Sequence, residues 1–129
     1  MAIWQYDLFL IREEDALPLL AEDGWELPQL PVASTLSAQR FLVDAIGHPW
    51  LMMEDWVVFG REDRTRVDLL FDGADKVEIR IRLDASATES ELNAVCCLAV
   101  ELNCRLFDPV TRLLLRPDHD VLASALATS

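Results

Sequence analysis

The chain has 129 residues, of which 23 are acidic and 11 are basic, so that its formal net charge is −12, and 52% of its residues are hydrophobic. This hydrophobic fraction argues against disorder, and the length suits one domain, which we predict over residues 1–129. An acidic surface of this kind repels phosphate backbones, so nucleic acid is not expected, and it would attract a protein partner with a basic surface. The alternative is that the acidity only keeps a small protein soluble.

The N-terminal segment and the cysteines predict a cytoplasmic protein. The apolar run of the N-terminus is interrupted by Gln5 and Asp7 and has no basic leader, so neither a signal peptide nor a membrane span is expected. Cys96, Cys97 and Cys104 are an odd, clustered set, which is typical of reduced thiols. The cysteines and the two histidines lack the spacing of a metal site, so we expect no metal and no cofactor.

The first part of the chain predicts one strand followed by an irregular segment. Residues 3–11 alternate between two faces, and the face that carries Trp4 is expected to point inward. Residues 13–31 predict a short helical turn near residues 16–21, ended by Gly24.

Two helices are predicted from apolar residues spaced three and four apart. The first covers residues 34–46, with the Ser34 hydroxyl as its N-cap and Gly47 at its end. The second runs to about residue 103, and either Ser86 or Thr88 can cap its first turn.

The strand pattern is strongest in residues 66–83, where two stretches with one apolar and one charged face flank a turn at residues 72–76. Further elements are predicted at residues 56–59, 106–107 and 113–115 as strands and 120–126 as a short helix. The helices need an apolar surface to cover, and the sheet offers one. We therefore predict an α+β two-layer sandwich: a mainly antiparallel sheet of about five or six strands, with two main helices and a short C-terminal one on one face and solvent on the other.

The first candidate surface is a partner-binding one. Residues 13–26 contain six acids and no base, and they include Trp25 in a predicted loop. Aromatic anchors in such a segment are typical of interface hot spots. The partner-binding candidates are Glu22, Asp23, Trp25, Glu26 and Trp50. The alternative is that both tryptophans fold back over the end of the sheet, since a large ring seldom stays exposed without a partner.

The second candidate surface is the charged face of the hairpin at residues 66–83. The expected register places Asp68 opposite Arg80, as a cross-strand ion pair, and Arg66 opposite Arg82. Because arginine binds carboxylates and phosphates through two parallel hydrogen bonds, Arg66, Arg80 and Arg82 are predicted anion-binding residues. The alternative is a solvated face on which nearby acids neutralise the arginines.

The sequence contains no catalytic motif, so no catalytic residue is predicted. His48 is the best candidate for a general base by its ordinary pKa, but its place at the end of a predicted helix is a sufficient structural reason for it. The leading hypothesis is a protein-binding module that neutralises or escorts a partner, as toxin-immunity proteins and secretion chaperones do. The alternative is a binding protein or enzyme with a pocket for an anionic ligand between helices and sheet. A homodimer through a sheet edge is a further hypothesis.

Overall fold

The computed structural model describes residues 5–128, so the predicted inward position of Trp4 lies outside the described residues. The strands in this range are β1 Gln5–Arg12, β2 Leu19–Ala21, β3 Gly24–Glu26, β4 Leu30–Pro31, β5 Pro49–Met53, β6 Trp56–Gly60, β7 Arg66–Asp72, β8 Lys76–Asp84, β9 Cys104–Asp108 and β10 Leu113–Leu115. The helices are α1 Leu36–Ala45, α2 Glu89–Glu101 and α3 His119–Thr128, with a 3₁₀ turn at Val32–Thr35. The predicted α+β class is confirmed.

Eight of the described strands form one antiparallel sheet in the order β10-β9-β1-β8-β7-β6-β5, and β4 pairs with the beginning of β8. The predicted number of five or six strands is therefore too small. The missed strands β4 and β5 contain Pro31 and Pro49, which suggested loops. Proline cannot donate to a ladder, but it is tolerated at the ends of strands and at sheet edges, which is where these two prolines lie.

The hairpin of β7 and β8 has the predicted register. Asp68 pairs with Arg80, and Arg66 pairs with Arg82, across a turn in which Gly73 has a φ of 72°. The apolar residues of this hairpin that are almost fully buried are Val67, Leu69, Val77, Ile79, Ile81 and Leu83.

The hydrophobic core contains this apolar face together with residues from all three helices, including Leu42 of α1, Leu98 of α2 and Leu122 of α3. Helix α2 contacts both α1 and α3. Each fully buried leucine stabilises the fold by roughly 1.5–3 kcal/mol, so these positions hold the helices against the sheet. Within residues 5–128, no helix is long and apolar enough to cross a bilayer.

The two predicted helix starts have different outcomes. Thr88 caps α2: its Oγ1 accepts a hydrogen bond of 3.1 Å from the Glu91 N–H, and Glu91 Oε1 accepts one of 2.9 Å from the Thr88 N–H. Ser34 does not cap α1, which begins at Leu36. Its hydroxyl instead donates to the Pro31 carbonyl at 2.8 Å, within the 3₁₀ turn that precedes the helix.

The other face of the sheet is not uniformly solvated, contrary to the prediction. Ile11 and Phe107 are each only 1% exposed, although neither belongs to the helix-side core. The segment of residues 13–29, which we call the acidic arm, contacts this face. The predicted helical turn near residues 16–21 is wrong, because β2 pairs with β3 as a hairpin whose turn is completed by Gly24 at a φ of 126°.

Candidate functional site

The acidic arm is attached to the sheet where it begins. The Arg12 guanidinium binds Asp15 at 3.0 and 3.1 Å, and Arg105 Nη2 lies 2.9 Å from Glu13 Oε1. The backbone N–H of Glu13 also donates to the Asn103 carbonyl at 3.0 Å. Ion pairs that are exposed or only partly buried contribute about 0–1 kcal/mol each, so these two orient the arm more than they stabilise it.

Trp25 anchors the acidic arm at its far end. Its ring meets Phe107 edge to face, with the ring centroids 5.1 Å apart and the planes at 75°. The guanidinium carbon of Arg112 lies 5.6 Å from the Trp25 ring centroid. An aromatic pair of this kind contributes about 0.5–1.5 kcal/mol beyond burial. Trp25 is half-buried, and these contacts fit the alternative in which the tryptophan packs on its own chain.

The three predicted acids of the arm, Glu22, Asp23 and Glu26, are exposed. Other acids of the arm, such as Glu13 and Asp15, form ion pairs with arginines. None of the three predicted acids forms an ion pair within residues 5–128. Their charge is therefore available to a partner.

Sequence reasoning missed the apolar part of the arm. Leu17, Leu19 and Leu20 are 58%, 68% and 55% exposed. A cleft of about 310 Å³ lies beside them, lined by residues 15–19 and 26–28. In the sequence, the leucines and prolines of this segment were compatible with burial. Only the structure of the β2–β3 hairpin shows that the leucine side chains face solvent.

Trp50 does not join Trp25. It lies in the edge strand β5, and its indole Nε1 donates a hydrogen bond of 2.6 Å to the Gly60 carbonyl. Trp25 packs on β9, which is five strand positions from β5, or about 24 Å at the usual spacing between strands. The two tryptophans therefore belong to different surfaces, and partner binding by Trp50 stays a prediction.

Arg66 is not on a solvated surface, so that part of the prediction is wrong. It is 3% exposed, and its Nη2 donates to Asp68 Oδ2 at 3.2 Å. Its Nε also lies 3.1 Å from Asp68 Oδ1, an ion-pair distance at an angle too bent for a hydrogen bond. Trp56 Nε1 donates to the same carboxylate at 2.9 Å, so Asp68 is paired with Arg66 rather than with Arg80.

The other two predicted arginines also have carboxylate partners. Arg80 pairs with Glu78 and lies 5.6 Å from the ring centroid of Phe9, and Arg82 Nε is 3.0 Å from Asp7 Oδ1. These arginines share one face of the sheet, as the register requires, but their charges are locally neutralised. Anion binding by Arg66, Arg80 and Arg82 therefore stays a prediction.

A second, larger cleft of about 910 Å³ lies between the start of β1, the β9–β10 turn and α3, and we call it the α3 cleft. It is lined by Gln5, Tyr6, Asp7, Asp108, Pro109, Val110, Thr111, Leu113, Leu115, Asp120, Val121, Ser124, Ala125 and Thr128. Neither His48 nor Arg80 lines it. The sequence signal was weak, because the small and hydroxyl side chains of α3 resemble an ordinary solvated helix face.

Tyr6 and Asp108 form a buried hydrogen bond in the wall of the α3 cleft. The Tyr6 hydroxyl donates to Asp108 Oδ2 at 2.7 Å, and the N–H groups of Val110 and Thr111 donate to Oδ1 at 2.8 and 3.3 Å. Burial raises the pKa of the Tyr6 hydroxyl far above its ordinary value, and the hydrogen bond to Asp108 and the charge of Asp108 raise it further. Tyr6 is therefore a neutral donor at physiological pH.

The two buried cysteines are not activated as nucleophiles. Burial raises the pKa of Cys96 to about 11 and that of Cys104 to about 12, so both thiols are protonated at neutral pH. Cys97 is exposed on α2. Within residues 5–128, no three histidine, cysteine or acidic side chains are grouped so that they could hold a metal ion.

No protein-family model, curated protein or solved structure matches this chain.

Proposed function

We propose that this protein is an acidic binding module that neutralises or escorts a basic partner protein, which it holds on the acidic arm. The observation that carries the proposal is the arm surface, where Leu17, Leu19 and Leu20 are each more than half exposed beside Glu22, Asp23 and Glu26. Trp25 fixes this surface to the sheet through Phe107, so the partner meets an already ordered hairpin.

The leucines supply affinity and the acids supply selectivity. Burial of a leucine side chain contributes roughly 1.5–3 kcal/mol, so three leucines can form the apolar centre of a small interface. The surrounding carboxylates steer a basic surface into place and repel acidic ones. The net charge of −12 extends this attraction beyond the contact itself.

We assign this role to the cytoplasm. Cys96, Cys97 and Cys104 are all free, which fits a reducing compartment. The redox state of the cysteines does not depend on the acidic arm. The cytoplasmic location and the binding role can therefore be tested separately.

The test compares partner capture by the wild-type protein with capture by Leu19→Asp and Leu20→Asp variants, followed by identification of the captured proteins. We expect one basic protein to be enriched by the wild type and lost by both variants. Raising the salt concentration to about 0.5 M should reduce its retention, since exposed charges are then screened within a few ångströms.

The matched control is Val100→Asp, because Val100 is 63% exposed and belongs to α2 rather than to the arm. This variant should retain the partner as the wild type does. Retention of the same partner by Leu19→Asp and Leu20→Asp, or an acidic partner, would contradict the proposal.

A further inference from the structure

The α3 cleft is on the opposite face of the sheet from the acidic arm. Trp25 of the arm packs on Phe107, whereas the next residue of β9, Asp108, lines the cleft. Because successive residues of a strand point to opposite faces, the side chains of Phe107 and Asp108 lie on opposite faces of the sheet. The β9–β10 turn joins the two regions, since Arg112 reaches the Trp25 ring and Val110 lines the cleft.

The walls of the α3 cleft are mainly apolar. The apolar residues that line it are Pro109, Val110, Leu113, Leu115, Val121 and Ala125. Val110 and Leu113 remain 71% and 59% exposed, so apolar surface is available to a ligand. The volume of about 910 Å³ lies within the range of small-molecule sites.

The charge of the cleft has one sign. Three aspartates line it, Asp7, Asp108 and Asp120, and no lysine, arginine or histidine does so within the described part of the chain. Asp7 is compensated by Arg82 at 3.0 Å, and His119 Nδ1 lies 3.4 Å from Asp120 Oδ1. Asp108 is only 4% exposed and accepts hydrogen bonds from neutral donors, without an ion-pair partner within residues 5–128. A buried carboxylate without a counter-ion favours a cation beside it.

The beginning of α3 offers no competing site for an anion. Asp118 Oδ1 accepts hydrogen bonds from the N–H groups of Asp120 and Val121, at 2.8 and 3.3 Å. The Asp118 carboxylate thus occupies the place that an anionic ligand would take at the helix terminus.

We propose that the α3 cleft binds a small organic cation that has an apolar body and a protonated amine. The apolar body packs on the walls formed by Val110, Leu113 and Val121. The amine lies toward Asp108 and Asp120, and the hydroxyl groups of Ser124 and Thr128 are further hydrogen-bond partners at the rim.

The test uses octylammonium as the probe and octanoate as the matched anion of equal chain length, with binding followed by calorimetry and by amide chemical shifts. We expect octylammonium to bind at least about tenfold more tightly than octanoate, a difference of about 1.4 kcal/mol. The amide shifts should map to Thr111, Ser124 and Ala125.

Two variants test the location. Ser124→Trp should reduce octylammonium binding at least about tenfold by filling the cleft, while Val100→Trp on α2 should leave it unchanged. Asp120→Asn should reduce the preference for the cation about two- to fivefold, because an exposed carboxylate is partly screened. Asp63→Asn, in the β6–β7 turn, is its control.

Several results would overturn the proposal. These are the absence of octylammonium binding at about 5 mM, equal affinity for octanoate, or unchanged binding by a folded Ser124→Trp variant. Amide shifts in the wild-type protein that map outside the α3 cleft would do the same, and this measurement does not depend on any variant folding.

Discussion

At the residue scale, the role of a charged side chain depends on its neighbours on the same face. Arg66 and Arg82 lie directly opposite each other in the β7–β8 ladder. Arg66 is buried, because Asp68 two residues along the strand and Trp56 on the adjacent strand form a hydrogen-bonded group with it. Arg82 is half-buried and pairs with Asp7 on β1. The same residue type in the same ladder therefore has a structural role at one position and remains partly solvated at the other.

The Tyr6 hydroxyl makes a pH-dependent contribution to stability that can be measured. Tyr6→Phe should lower the free energy of unfolding by about 1–3 kcal/mol at neutral pH, because Asp108 loses a buried hydrogen-bond donor. The pKa of Tyr6 is raised above its ordinary value of 10.0, so the folded state holds the proton more tightly than the unfolded state. This contribution is fully present below about pH 10 and is lost as the pH rises further.

Denaturant unfolding at about pH 7, 9 and 10.5 checks this expectation. The difference between wild type and Tyr6→Phe should be constant at the two lower pH values and should then shrink by up to about 1.4 kcal/mol per pH unit. Cys96 and Cys104, whose pKa values are also raised, are present in both proteins, so their effects cancel. A difference that widens above pH 10 would refute the argument.

At the element scale, the position of a helix was predicted well where its cap, its first-turn acids and its apolar stripe all agreed. Helix α2 has a capping box, acids in its first turn and a buried stripe, and it forms close to where it was predicted. For α1 the sequence offered Ser34 as a cap, but the 3₁₀ turn delays the helix to Leu36. For the acidic arm, the sequence predicted a short helical turn ended by Gly24, and the pairing of β2 with β3 shows that prediction to be wrong.

The capping box of α2 leads to a prediction that separates the two residues considered as caps. Thr88→Ala should lower the free energy of unfolding by about 1 kcal/mol, because the Glu91 N–H loses its acceptor. Ser86→Ala should change it by less than about 0.5 kcal/mol, as expected for an exposed position outside the cap. Chemical denaturation of both variants provides the measurement, and a larger effect of Ser86→Ala would be inconsistent with the cap assignment.

At the scale of the whole molecule, the main strand order of residues 5–128 ends at β10 on one side and β5 on the other. Strand β10 has three residues, whereas β5 has five and exposes Leu51 and Met53 at 66% and 65%. A bulge between these two residues disturbs the ladder at the end of β5, so only its first part is regular enough to pair with a second strand. The homodimer through a sheet edge stays a prediction, and its test is on β5, because this strand is the longer of the two and exposes large apolar side chains.

Sedimentation over a range of protein concentrations tests this association. We expect the wild type to form a dimer at high concentration and Leu51→Lys to shift its dissociation constant upward by at least about tenfold. Leu113→Lys, on the other edge, should have no such effect. A wild-type protein that stays monomeric throughout, or equal effects of the two substitutions, would exclude a β5 dimer.

The parts of the fold that could be predicted depend on residues close together in the chain. The register of β7 and β8 follows from alternation on either side of a short turn, and α2 follows from its cap and its spacing, because each signal lies within about twenty residues.

Contacts between distant residues decided the rest. Trp25 packs on Phe107, the Tyr6 hydroxyl binds Asp108 at a separation of 102 residues, and the α3 cleft exists only where β1, the β9–β10 turn and α3 converge. The buried Arg66–Asp68 pair likewise depends on Trp56 from the neighbouring strand. Periodicity reports which face a residue is on, but only the packing of other elements on that face determines whether the residue meets solvent, a neighbour or a cavity.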